Sequence, residues 1–180
     1  MTGDLIFAID PGNTESGYVV TSMDLKPIRF GKIANEKLLN EIRDEIHHAA
    51  RHHQKIYFAV EMIDSYGMPV GKSVFDTCVW IGRFLERIYV WNRYSIINQA
   101  PIMPELIYRR DEKLTICNSP RANDATIRQA LVDRFAPGES NYGKGTKKSP
   151  GWFYGFRADI WQAYAVAVTY HDMYLERSNE

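Results

Sequence analysis

The chain has little of what would mark it from a distance. Two cysteines in 180 residues are too few for a disulfide framework. Cys78 and Cys117 lack metal-type spacing and read as small core residues of a protein kept in a reducing compartment. No apolar stretch reaches the ~18 residues that a membrane-spanning helix needs. The first residues also lack the basic-then-apolar pattern of a secretory leader, so a cytoplasmic location with no membrane partner is expected. Net charge is missing too. Twenty-two Lys and Arg offset 22 Asp and Glu, so no bulk field draws nucleic acid, and any such site must be a local patch. Neither an internal repeat nor a low-complexity tract is present. What remains is 45% hydrophobic and 13% aromatic, which is enough for one folded domain over residues 1–180 with a proper core.

The stretch that organises this composition is Leu5-Ile6-Phe7-Ala8-Ile9-Asp10-Pro11-Gly12. Five apolar residues in a row are too few for a helix and suit a strand buried on both faces. The run ends on a carboxylate followed by Pro-Gly, a turn signal, and a second strand resumes over 17–21 as an antiparallel return. Residues 26–33 alternate polar and apolar, as an edge strand does. Residues 35–53 keep helical spacing on one face through Leu38, Leu39, Ile42, Ile46 and Ala49. His48 and His52 are four apart on its tail, but no acid or cysteine joins them, and they read as a solvated face.

Residues 55–61 repeat the logic of the first strand, an apolar run that ends on Glu61. A helix crosses over between the two runs, so this strand should lie parallel to the first and beside it. Asp10 and Glu61 then share one edge of the sheet, on strands about 4.8 Å apart. Two ionised carboxylates at that spacing repel unless a cation lies between them.

Gly67 to Ser73 imitates a phosphate-binding loop and fails the test. Three residues separate its glycines where the motif needs four, and Pro69 removes a backbone N–H. Lys72 is left as a candidate phosphate contact. The helix expected over 73–91 is apolar over a wide surface, and Trp80, Phe84, Ile88 and Trp91 at near-helical spacing suit contact with a second subunit. Residues 105–109 read as a fifth strand, 111–118 as a short helix or connector, and 122–135 as a helix with Asn123 or Asp124 near its cap.

Between residues 105 and 157 there are ten Lys or Arg against six Asp or Glu, so the neutral chain has a basic half. Arg109, Arg110, Lys113, Arg121, Lys144, Lys147, Lys148 and Arg157 are the candidate DNA contacts there. The basic loop runs into Trp152, Phe153, Tyr154 and Phe156, and that sequence of charges and rings suits phosphate contact followed by base stacking. The last helix, from about residue 157, carries Asp159 in its first turn and enough alanine to lie close to the sheet.

Three acids placed this way resemble the ribonuclease-H-like nucleases. More narrowly, Ile9-Asp10-Pro11-Gly12 with Ser16-Gly17-Tyr18, Val60-Glu61, the 122–132 helix, and Ala158-Asp159 with the run 163–171 are similar to the RuvC family of Holliday-junction resolvases, in a phage-type variant. The resemblance covers nearly the whole chain in order. It implies a five-stranded mixed sheet in the order 3-2-1-4-5 flanked by helices, a homodimer, and metal-dependent nicking of four-way or other branched DNA. In a phage-encoded protein the location would be the host cytoplasm. Asp10, Glu61 and Asp159 would be both catalytic and metal-holding residues, with Mg²⁺ as cofactor and Mn²⁺ as a substitute. The family commonly has a further acid or histidine pairing on the last helix, where this chain has Gln162. Gln162 and Asp124 are therefore the accessory candidates. Two other readings use the same fold: a catalytically inactive branched-DNA-binding module, and an ATP-binding domain of the sugar-kinase or actin type. The second needs two such domains.

Overall fold

The computed structural model describes residues 3–64, 67, 69–95 and 103–176. Met68, within the rejected phosphate-loop stretch, lies outside them. Five strands form one sheet in the order β3-β2-β1-β4-β5. These are β1 (Leu5–Asp10), β2 (Glu15–Ser22), β3 (Pro27–Ala34), β4 (Ile56–Met62) and β5 (Glu105–Tyr108). β1 pairs antiparallel with β2 and parallel with β4, and β4 pairs parallel with β5. The central strand is thus the one that ends on Asp10. The expected order and mixed character of the sheet are both observed.

Side-chain parity divides the core. From β1, Leu5, Phe7 and Ile9 join Phe58 and Val60 of β4 under two helices, α1 (Asn35–Arg51) and α2 (Lys72–Ser95). Ile6, Ala8 and Ala59 face the other way, under α4 (Asp124–Phe135) and α5 (Ala158–Tyr170). Successive residues of a strand alternate faces, so Asp10 and Glu61 both belong to the α5 side. Ala163, Ala165 and Ala167 are fully buried, and their small side chains let α5 lie low across the sheet. The closest approach is at Gly17, where an added Cβ would stand 2.6 Å from the Asp159 carbonyl oxygen. Only glycine fits there.

Several expectations are corrected by packing. Phe84 and Ile88 of α2 are fully buried in the core beneath α1 and α2 and cannot meet a second subunit. The residues of α2 that stand out are Phe75 (60% exposed) and Val79 (63%). Phe153 and Phe156 are fully buried as well, stacked edge-on with Trp161 and Tyr164 of α5, so these two rings are core and not a base-stacking surface, while Trp152 is half-buried and Tyr154 is exposed. Cys78 is only half-buried, because it lies toward the open side of α2. Finally β5 stops at Tyr108, and Arg109 opens α3 (Arg109–Cys117) without an intervening loop. The side chain of Asp111 closes the turn by accepting from the Tyr108 backbone N–H at 3.1 Å.

Candidate active site

The turn after β1 is fixed from below. Ser16 Oγ is buried; it accepts from the Gly12 N–H at 3.1 Å and donates to Asn35 Oδ1 at 2.6 Å. The Asn35 amide donates in turn to the Gly12 carbonyl at 2.8 Å. The starts of β2 and α1 are thereby tied to the loop that follows β1, which gives Asp10 a rigid support. A polar cleft of about 230 Å³ opens beside it, lined by Asp10, Pro11, Asn13, Glu15, Lys32 and Asp159, among others.

β1 and β4 run parallel with Ile9 opposite Val60, so the next residues, Asp10 and Glu61, come side by side, and the charge of Glu61 acts on Asp10. Burial, and then the charge of Glu61, push the Asp10 carboxyl up to about 9. Asp159 adds to that push from the first turn of α5 and is itself held by Lys32 Nζ at 2.8 Å. The bond to Asp159 raises the Lys32 ammonium above its ordinary value. Lys32 has no sequence signature: it is one polar position of an alternating edge strand, 127 residues from its partner. It pairs in register with Gly17, the position over which α5 crosses.

On the far side of Glu61 the structure assembles a cluster that the sequence does not announce. Arg109 turns inward, away from the DNA-facing role expected of it. Its guanidinium donates to Glu112, to Gln162 Oε1 at 2.7 Å and to Asp124. Glu112 is completely buried. Burial first, and the Glu61 charge second, raise its carboxyl to about 9 against the pull of Arg109. Both accessory candidates, Gln162 and Asp124, therefore meet at one guanidinium. In the sequence, the carboxylate at position 112 has the look of an ordinary first-turn acid of a short helix, and no local pattern marks it as buried.

The remaining basic candidates spread over the surface. Lys72 is exposed at the start of α2, and Arg110, Arg121 and Arg157 are exposed, while Lys113 is half-buried. Residues 145–150 form a small hairpin closed by a Gly145–Pro150 bridge and a Thr146 N–H to Ser149 carbonyl bond of 2.9 Å. It presents Lys147 and Lys148 at its tip, both exposed, with Lys144 half-buried at its base.

Among the described residues, one group of three or more metal-type side chains has all its ligand atoms within 4.8 Å, and it is elsewhere: His171, Asp172 and Glu176. Asp172 accepts from both terminal nitrogens of Arg134, at 2.5 and 3.0 Å, so its oxygens are already engaged. Asp10, Glu61 and Asp159 are less tightly gathered, as expected of acids that repel one another. Their all-oxygen donor set fits a hard divalent cation such as Mg²⁺.

A mixed sheet in this order, helices on both faces and acids at the C-terminal ends of its two central parallel strands define the ribonuclease-H-like class of folds. Within that class the fold is similar over nearly its whole length to RuvC. A structure of Thermus thermophilus RuvC in complex with a Holliday junction substrate matches with a TM-score of 0.60 at 13% identity, covering 94% of this chain and 93% of that one. A second Thermus thermophilus RuvC structure matches at 0.58 and 14%, covering 97% and 96%. No protein-family model and no curated protein sequence matches the chain.

Proposed function

We propose that residues 1–180 form one nuclease domain, a metal-dependent endonuclease that nicks four-way or other branched DNA. The observation that carries the reading is the placement of Asp10 and Glu61 side by side at the ends of adjacent parallel strands, with the charge of Asp159 also acting on Asp10. One structural neighbour is a RuvC bound to a Holliday junction, which makes the four-way junction the first substrate to try. Asp10 and Glu61 would hold Mg²⁺ or Mn²⁺, with Asp159 completing the donor set. The ion would supply positive charge at the phosphodiester and an acidified water. The chain's own residues orient and exclude. Lys32 fixes the carboxylate of Asp159, the Ser16–Asn35 network keeps the Asp10 turn from shifting, and lysines of the 145–150 hairpin bind backbone phosphates. A synthetic four-way junction should be nicked with Mg²⁺ and left intact with EDTA, and a linear duplex of the same sequence should be cut poorly. Binding without nicking at any metal concentration would favour the inactive binding module instead.

The hairpin gives a separate expectation. Replacing Lys144, Lys147 and Lys148 with Ala should weaken junction binding and flatten the slope of log K against log salt by up to ~0.9 per lost phosphate contact. An unchanged slope would place the DNA elsewhere.

A four-way junction has two equivalent strands to cut, so a two-fold pair of chains is the simplest match to it. The surface we assign to the homodimer is the outer face of α2, where Phe75 and Val79 lie one turn apart and largely exposed. Sedimentation at micromolar concentration should give twice the 20.8 kDa chain mass. Val79→Asp should shift that toward monomer while leaving the thermal midpoint nearly unchanged, because Val79 is largely exposed in its own chain. A wild type that sediments as a monomer would sink the assignment.

A further inference from the structure

The acids of the candidate site are not uniformly short of positive charge. At one end Lys32 Nζ holds Asp159 at 2.8 Å. At the other, Arg109 is clamped by three helices at once: Glu112 of its own α3, Asp124 at the start of α4 and Gln162 of α5. Its field reaches both Glu61 and Asp10. Asp10 and Glu61 stand side by side at the ends of adjacent parallel strands, with one fixed cation on each side. The clamp has a further peculiarity. Glu112 is fully buried, and its Oε1 has no hydrogen-bond partner among the described residues. Burying a carboxylate costs several kcal/mol unless it is paired, and its one visible occupation is to hold Arg109. At position 162 a neutral amide accepts from the guanidinium, where a carboxylate would compete for a metal ion.

Resting on the nuclease reading above, we propose that Arg109 is a built-in cation of the site. It occupies one of the two cation positions that a phosphodiester-cleaving centre uses, so that the chain takes a single divalent ion, at Asp10 and Glu61. Two-metal centres place their ions roughly 4 Å apart to neutralise both the attacking and the leaving oxygen. A guanidinium fixed by three partners can take one of those duties with no reorganisation when charge develops. Glu112 and Gln162 are then positioning residues for Arg109.

Counting Mn²⁺ ions tests this without reference to turnover. Titration of the intact, DNA-free protein, followed by electron paramagnetic resonance of free Mn²⁺, should give one ion per chain. Arg109→Gln removes the resident cation and should raise the count to two, as Glu61, Glu112 and Asp124 are left facing an open position. Gln162→Asp adds a carboxylate but keeps the guanidinium, and should remain at one. Where Arg109→Gln does not fold, the wild type and Gln162→Asp decide. Two ions in the wild type, two in Gln162→Asp, or one in a folded Arg109→Gln would overturn the proposal and leave the nuclease reading standing. No Mn²⁺ binding at all in the wild type would remove both.

Discussion

Asp10→Asn is expected to abolish nicking, leave junction binding within a few-fold of wild type, and make the metal-free protein more stable. The first two results follow from the division of labour in the site. Asp10 is one of the two acids that stand side by side at the strand ends, whereas phosphate contacts are assigned to surface Lys and Arg. The third follows from linkage. The Asp10 carboxyl is raised from 3.8 to about 9 in the folded chain, so at neutral pH the native state holds a proton that the unfolded state has released. Such a group favours folding at pH below its unfolded value, and its contribution is lost as pH rises toward the folded one. Asparagine can donate to Glu61 without carrying a charge. The variant should therefore melt higher at pH 7 by several degrees, corresponding to roughly 1–3 kcal/mol, and the gap should widen from pH 5 to pH 8. Calorimetry in EDTA and a nicking assay in Mg²⁺ check the two halves. A variant that cuts at near wild-type rate means the site is misplaced. A variant that is inactive and less stable means Asp10 is held by something other than its acidic neighbour.

The sheet order and the Asp10–Glu61 pairing were legible because both rest on short-range patterns. An apolar run ending in a carboxylate, repeated across a helical crossover, fixes strand direction and strand end together. The second half of the site was not legible. Lys32 and Asp159 meet only because α5 crosses β2 at Gly17, and nothing local to either residue encodes that crossing. Arg109 reads as one more basic residue of a basic half until α3 is seen to start directly at the end of β5. The apolar surfaces failed for a related reason. Composition shows how many large side chains a segment carries, but which of them are covered depends on where the neighbouring helix lies. Phe84 went under α1, and Phe153 went into a ring cluster with Trp161 and Tyr164. Positions read as partner-facing or base-stacking were claimed by the chain's own core.

Gly17→Ala should damage activity more than its distance from any reacting group would imply. The glycine carries no chemistry. It lies on β2 opposite Asp10 and Lys32 in the strand registers, and α5 rests on it. A Cβ there would stand 2.6 Å from the Asp159 carbonyl oxygen and 3.1 Å from the Asp159 Cβ. The nearer atom is backbone, so no rotamer change relieves the clash, and the first turn of α5 must lift. Two costs follow. Repacking a closely fitted helix costs about 1–3 kcal/mol. Moving the carboxylate of Asp159, and with it the Lys32 contact, by a sizeable fraction of an ångström costs on the order of 10²-fold in nicking rate. Gly82→Ala is the control. That glycine is interior to α2, and an added Cβ would meet nothing within 4 Å, so alanine there should raise stability by roughly 0.5–1 kcal/mol and leave nicking unchanged. Thermal melts and single-turnover rates on both variants separate the cases. If Gly17→Ala melts and cuts like the wild type, α5 does not position Asp159 through this contact, and the acid must be held chiefly by Lys32.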